Sequence, residues 1–200
     1  MKIILASASP RRQEILTQAN IMYELIPSQV EEVFNHNVSI EEAVMDLAYQ
    51  KANWVYNNNQ DALVIGADTI VVVDNEVLGK PKDYSDACRM LNKLQNNQHE
   101  VITGVALISK DKIVKFYEKT KVVFKPMSKE DIDRYIEEEN VYDKAGSYAI
   151  QGEAMRYIDH IEGDYYNVIG LPINHLLTEL KKIEGEENEK VTKTDNWSYI

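Results

Sequence analysis

The chain of 200 residues has one cysteine, Cys88, so it can form no internal disulfide and no cysteine-based zinc site. That usage suits a reducing compartment, and the cytoplasm is the expected location. The four histidines, His36, His99, His160 and His175, show no paired metal-ligand spacing. No apolar run approaches the roughly 20 residues that cross a bilayer, so no membrane partner is expected. The N-terminal MKIILASASPRR is too short and wrongly ordered for a signal peptide. Basic residues are in short supply: 22 Lys and Arg face 33 Asp and Glu, for a net charge of −11. A nucleic-acid coat needs a broad basic surface, so a nucleic-acid polymer is excluded as a partner. On total charge alone, the chain is also an awkward host for a polyanionic ligand.

What is there reads as globular. Apolar residues make up 44% and charged residues 28%, and the length suffices for one compact domain or two small lobes around a cleft. Strands are expected at Lys2 to Ala6, Tyr23 to Ile26, Ala62 to Val73, Glu76 to Leu78, Glu100 to Ser109, Lys112 to Phe124 and Arg156 to Ile161, with a strand or turn at Tyr148 to Gln151. Helices are expected from Pro10 to Ala19 behind a Ser9 cap, Ser39 to Asn57, Ser85 to Leu94, Ser128 to Glu138 and Pro172 to Ile183. Alternation followed by paired strands gives an α/β class with a mixed sheet. The acidic stretch Glu184 to Glu189 is expected to be loose from Gly185, with the apolar end 196–200 docking elsewhere.

Four constellations carry chemical potential. Ser7-x-Ser9-Pro10-Arg11-Arg12 places hydroxyls, guanidiniums and free backbone N–H groups at one strand-to-helix junction, which suits a phosphate; the plainer reading is a capped helix with exposed arginines. Asp68, within Gly66-Ala67-Asp68-Thr69, is a carboxylate in a β-branched strand. Burying it requires a partner, and an acid near a strand end can hold a metal or a water. Gly79-Lys80-Pro81-Lys82 sets two cations around a rigid proline, without the spacing of a P-loop. Asp143 to Gly152 brackets a lysine and Gln151 with small residues, and the Gln151 amide offers both a donor and an acceptor to a base edge.

Taken in order, these segments resemble the Maf family of nucleoside triphosphate pyrophosphatases. The resemblance is carried by LASASPRRQEIL (Leu5 to Leu16), Glu32, Lys51, GADT (Gly66 to Thr69), LGKPKD (Leu78 to Asp83), DACRML, the stretch from His99 through Thr103-Gly104, DKAGSYAIQG (Asp143 to Gly152) and NVIGLP (Asn167 to Pro172). Each motif alone is weak, but the ordered set is highly specific. It implies a mixed twisted sheet with flanking helices and two lobes around a deep cleft, as in inosine triphosphate pyrophosphatases. It implies a single domain over residues 1–184 with an acidic extension over 185–200. The implied reaction is hydrolysis of a nucleoside triphosphate to the monophosphate and pyrophosphate with Mg²⁺ or Mn²⁺, by a protein that is usually a homodimer.

The same resemblance makes Asp68 the proton acceptor and Arg12, Thr69 and Gln151 the specificity positions of the dTTP/UTP branch. The 7-methyl-GTP branch replaces Arg11, Thr69 and Gln151. Ser7, Lys51, Lys80 and Lys82 would line the phosphate path, Arg11 would also bind substrate, and Glu32 would join Asp68 on the metal. Whether Asp68 acts as base, water-orienting group or metal ligand is left open. The family's Glu-Thr step before a Val-x-Phe strand is interrupted here, as Glu118-Lys119-Thr120-Lys121-Val122. Two rival classes are a nucleotide-binding regulator of septum formation that does not turn its ligand over, and a scaffold using the acidic helix Glu130 to Glu139.

The charge is unevenly spread. Glu130 to Asp143 carries −6 and Glu184 to Ile200 carries −3, whereas Met1 to Arg12 carries +3. Both acidic stretches are expected to lie outside the cleft, leaving it locally basic.

Overall fold

The computed structural model describes residues 2–195, with side chains described up to residue 185. The elements are β1 (Ile3–Leu5), α1 (Pro10–Gln18), β2 (Glu24–Leu25), α2 (Ile40–Tyr56), β3 (Leu63–Val73), β4 (Glu76–Leu78), α3 (Tyr84–Leu94), β5 (Gln98–Ile108), β6 (Ile113–Phe124), α4 (Lys129–Glu138), β7 (Ile158–Glu162), α5 (Tyr165–Ile169) and α6 (Ile173–Asp195). The strands form one seven-stranded sheet in the order β2-β1-β3-β5-β6-β7, with β4 also on β3. β2, β1 and β3 run parallel, and the remaining pairings are antiparallel. The mixed sheet is thus as expected.

Period-two alternation along β3 sorts its residues between the two faces. Val64 packs with Ala48, Ala52 and Val55 of α2, while Leu63, Ile65 and Ala67 pack with Leu16 of α1 and Leu176 and Leu180 of α6. Further along, Val71 and Val73 join Leu91 and Leu94 of α3 and Ile132 and Ile136 of α4. β3 is buried on both faces, which is why it reads as a nearly unbroken apolar run.

Helix starts follow their caps. The Ser39 hydroxyl accepts from Glu42 N, and the Glu42 carboxylate accepts from Ser39 N, closing a capping box on α2. Ser128 and Asp131 do the same for α4. Ser9 stands at the N-cap of α1, but its hydroxyl makes no capping bond, so Pro10 alone marks that start.

Tyr148 to Gln151, expected as a strand or turn, is irregular chain between two short 3-10 turns, Ala145–Ser147 and Glu153–Arg156. Two points depart from expectation. The segment after Gly163 contains α5, which the sequence reading missed. The last helix does not stop at Ile183 but continues to Asp195. Glu and Lys are strong helix formers, no proline follows Pro172, and Gly185 costs a helix only about 1 kcal/mol. Residues 196–200, expected to dock, lie outside the described residues.

Candidate active site

The site originates in a gap along one edge of β3. β1 pairs with Leu63 to Ile65, and β4 pairs with Val71 to Val73. The five residues between, Gly66 to Ile70, have β5 on one edge and, among the described residues, no strand on the other. Asp68 is therefore mid-strand, not near a strand end as expected. It sits beyond the end of the parallel strand β1, at the kind of sheet opening where α/β proteins bind ligands. Consecutive residues reach the opening from opposite faces: Asp68 from the α2 face and Thr69 from the α1 face.

On the α2 face, Lys51 Nζ lies 2.5 Å from Asp68 Oδ1 and 3.1 Å from Glu32 Oε2. Lys51 and Asp68 are each 14% exposed, and Glu32 is 46% exposed. Gly66 sets this spacing. A Cβ there would lie 2.2 Å from the Ala48 carbonyl oxygen and 2.8 Å from Ala52 N, so only glycine lets α2 approach β3 this closely. Lys51 lies within that same helical turn, and Asp68 stands two strand positions beyond Gly66.

On the other face, the Arg12 guanidinium makes three bonds. Nε donates to Gly170 O at 2.8 Å, Nη1 to Ser7 Oγ at 3.0 Å and Nη2 to Thr69 Oγ1 at 3.0 Å. Gly170 stands at φ 122°, a left-handed conformation that presents its carbonyl to Arg12. Arg12 is only 8% exposed, yet none of the described carboxylates lies within ion-pair distance of it. Burial pushes its pKa down from the usual range, opposed by the charge of Asp68. A buried cation with two N–H groups unspent is a receptor for an anion.

A cleft of about 460 Å³ joins these two sides. Arg11, Arg12, Glu32, Lys51, Asp68, Thr69, Lys80 and Gln151 line it. Ser7 and Lys82 do not. Ser7 is buried behind Arg12 and accepts from its Nη1, while the Lys82 backbone N bonds Asp86 on the outside of the loop. Glu118 is also elsewhere, bonded to His175 Nδ1 at 2.7 Å. Asp143, expected outside the cleft with the other acids, lies in its wall, 3.4 Å from Arg11 and 2.8 Å from Lys144.

Phe34, Tyr148 and Ile150, which no sequence mark singles out, also line the cleft, together with Lys144 of the fourth constellation. Behind the cleft, a buried polar chain had gone unread. The Thr69 and Thr103 hydroxyls lie 2.9 Å apart, and Thr103 Oγ1 donates to Asn167 O at 2.9 Å. Thr103 and Asn167 both belong to motifs quoted above, which was the available signal. Tyr148 is braced from below by His99 Nε2 at 2.7 Å.

Fold and site together define an α/β protein with a basic and acidic cleft at the end of a parallel strand pair. The solved structure of the Staphylococcus aureus Ham1 protein has this fold: TM-score 0.50 at 13% identity, over 91% of this chain and 99% of that one. The family model described as Maf-like protein matches residues 2–183, and the chain belongs to the Maf family. A Bacillus cereus relative named dTTP/UTP pyrophosphatase is 51% identical over 181 residues, 90% of this chain and 95% of its own. A Bacillus cytotoxicus relative of the same name is 50% identical over 184 residues, 92% of this chain and 96% of its own. No described helix is long and apolar enough to cross a membrane.

Proposed function

We propose that the protein hydrolyses dTTP and UTP, and modified pyrimidine nucleotides, to the monophosphate and pyrophosphate, as a cytoplasmic enzyme that clears the nucleotide pool. The observation that carries this reading is Arg12: a buried guanidinium with no ion pair among the described residues, facing the same cleft as the Lys51, Asp68 and Glu32 cluster. The names of the Bacillus relatives point to the same substrates. Residues 1–184 constitute the catalytic unit and 185–200 an extension to it, and the working form is the homodimer usual in the family.

The reaction joins a water oxygen to the α-phosphorus and breaks the bridge to the β-phosphorus, releasing pyrophosphate. Asp68 takes the water proton. Lys51 holds Oδ1 of Asp68, which leaves Oδ2 to face the water. Arg12, with Arg11 and Lys80 along the cleft, neutralises charge that grows on the leaving oxygens. Lys82 acts from the loop beside Lys80, and Ser7 acts through Arg12. Gln151 reads the base with Thr69.

The donor set fits a divalent cation. Glu32 and Asp68 are hard oxygen donors gathered around Lys51 Nζ, which takes one oxygen of each, and Mg²⁺ takes one or two carboxylates together with substrate phosphates. No group of three or more His, Cys, Asp or Glu side chains among the described residues offers a complete cage, so the fit is to a cation that arrives on the nucleotide. When bound there, Mg²⁺ or Mn²⁺ supplies Lewis-acid stabilisation of phosphoryl charge.

The test is pyrophosphate release from a panel of nucleoside triphosphates with Mg²⁺ or Mn²⁺. Turnover of dTTP and UTP is expected. Binding of nucleotide without product would support the regulator of septum formation instead.

A further inference from the structure

We propose that Thr103 is a positioning residue for the nucleotide site, acting through Thr69 on Arg12; this rests on the nucleotide-hydrolysing reading above. Thr103 is fully buried on β5 and is not part of the cleft wall. It stands opposite Thr69 in the β3–β5 ladder. Its single hydroxyl proton is committed, because Oγ1 donates to the Asn167 carbonyl at 2.9 Å. In the 2.9 Å contact between the two threonine hydroxyls, Thr69 must therefore be the donor. Arg12 Nη2 in turn donates to Thr69 Oγ1 at 3.0 Å. The bonds run one way, from Arg12 to Thr69 to Thr103 to the Asn167 carbonyl.

The far end of this chain is buried and fully bonded. Asn167 is wholly buried, and its amide donates to Val101 O at 3.0 Å and Thr120 Oγ1 at 2.9 Å. Its Oδ1 accepts from Thr103 N at 3.1 Å. Thr120 Oγ1 donates to Asp164 O at 3.0 Å, tying the start of α5 to β6. Two consequences follow for the cleft. Thr69 has spent its proton, so it meets a ligand as an acceptor only. Arg12 is held by three bonds in the orientation that leaves its remaining N–H groups for an anion. Without Thr103 the Thr69 proton has no fixed acceptor, and the hydroxyl is free to turn a hydrogen toward Arg12, donor against donor.

The test is a double-mutant cycle of Thr103→Val and Thr69→Val, with Thr103→Ser as rescue, measuring kcat and KM for UTP, dTTP and 7-methyl-GTP. Thr103→Val is expected to lower kcat/KM for UTP by about tenfold or more, mainly through KM, and to change the UTP to 7-methyl-GTP ratio. Thr103→Ser should restore kcat/KM to within about threefold of wild type. The double variant should be no worse than Thr69→Val alone, since Thr103 works through Thr69. Wild-type KM and selectivity in folded Thr103→Val, or losses that multiply in the double variant, would overturn the proposal. If Thr103→Val does not fold, Thr103→Ala takes its place in the cycle. Wild type measured alongside tests the underlying reading separately. Should it turn over no nucleotide, the cycle is read from pyrophosphate affinity by calorimetry with the same expected pattern. Failure of wild type to bind pyrophosphate would overturn both.

Discussion

The Lys51 ammonium lies 2.5 Å from Oδ1 of Asp68, and both side chains are largely withdrawn from water. Lys51 keeps a second carboxylate, Glu32, at 3.1 Å. Asp68→Asn therefore leaves Lys51 paired and the fold intact, while removing the carboxylate proposed as the base. Turnover of dTTP is expected to fall by about 10²–10⁴-fold with little change in circular dichroism or melting temperature. Near-wild-type turnover by this variant would remove Asp68 from the chemistry.

Arg12 has no carboxylate partner among the described residues, so an anionic ligand should stabilise the protein through it. Pyrophosphate at about 100 times its Kd adds about 2.7 kcal/mol, which raises the melting temperature of a domain this size by roughly 5–10 °C. Arg12→Met is expected to abolish most of that shift in a thermal scan. An equal shift in the variant would show that the anion sits elsewhere.

Gly66→Ala tests how the helix carries Lys51 to Asp68. The added methyl would collide with the Ala48 carbonyl and Ala52 N, which are backbone and cannot turn aside. The variant should lose about 1–3 kcal/mol in urea unfolding, and more activity than its residual folded fraction explains. Gly185→Ala is the control, since nothing lies within 4 Å of a Cβ there and it is not part of the cleft wall.

His99 gives the stability a pH dependence. It is 2% exposed, its Nδ1 has no partner, and burial pushes its pKa down to about 4 from the ordinary 6.5. The unfolded chain takes up the proton first, so this contribution is full above the unfolded value and is lost as pH falls toward the folded one. Between about pH 7.5 and pH 5 the loss is about 2 kcal/mol. The exposed His160 works in the opposite sense, because Asp159 raises its pKa. Urea unfolding of wild type and His99→Gln at both pH values isolates the His99 part: the variant should show a flatter slope. Equal slopes would mean that His99 takes up its proton over the same pH range in the folded and unfolded chain.

The elements with strong local marks were legible in the sequence. The capping boxes at Ser39 and Ser128, the Asp74-Asn75 turn and the apolar run of β3 each follow from neighbouring residues. Asp68 stood out because a carboxylate among β-branched residues demands a partner. Lys51 carried no such mark within an amphipathic helix and entered only through the resemblance. The Thr103–Asn167 contact joins positions 64 apart in the chain, which no local pattern reveals. α5 spans only five residues, too few to show a period. The acidic stretch Glu184 to Glu189 suggests looseness from Gly185, although glutamate and lysine are also good helix formers and α6 runs on to Asp195. Net charge misled at Asp143 as well, since an acid paired with Arg11 and Lys144 lies comfortably in the cleft wall.

The central claim is hydrolysis at the α-phosphorus in the cleft between Asp68 and Arg12. It is tested most directly by turning over UTP in ¹⁸O-labelled water and locating the label by mass spectrometry. The account predicts the label in UMP, unlabelled pyrophosphate and loss of both products in Asp68→Asn. Label in pyrophosphate, or in free phosphate released alongside a diphosphate, would contradict it.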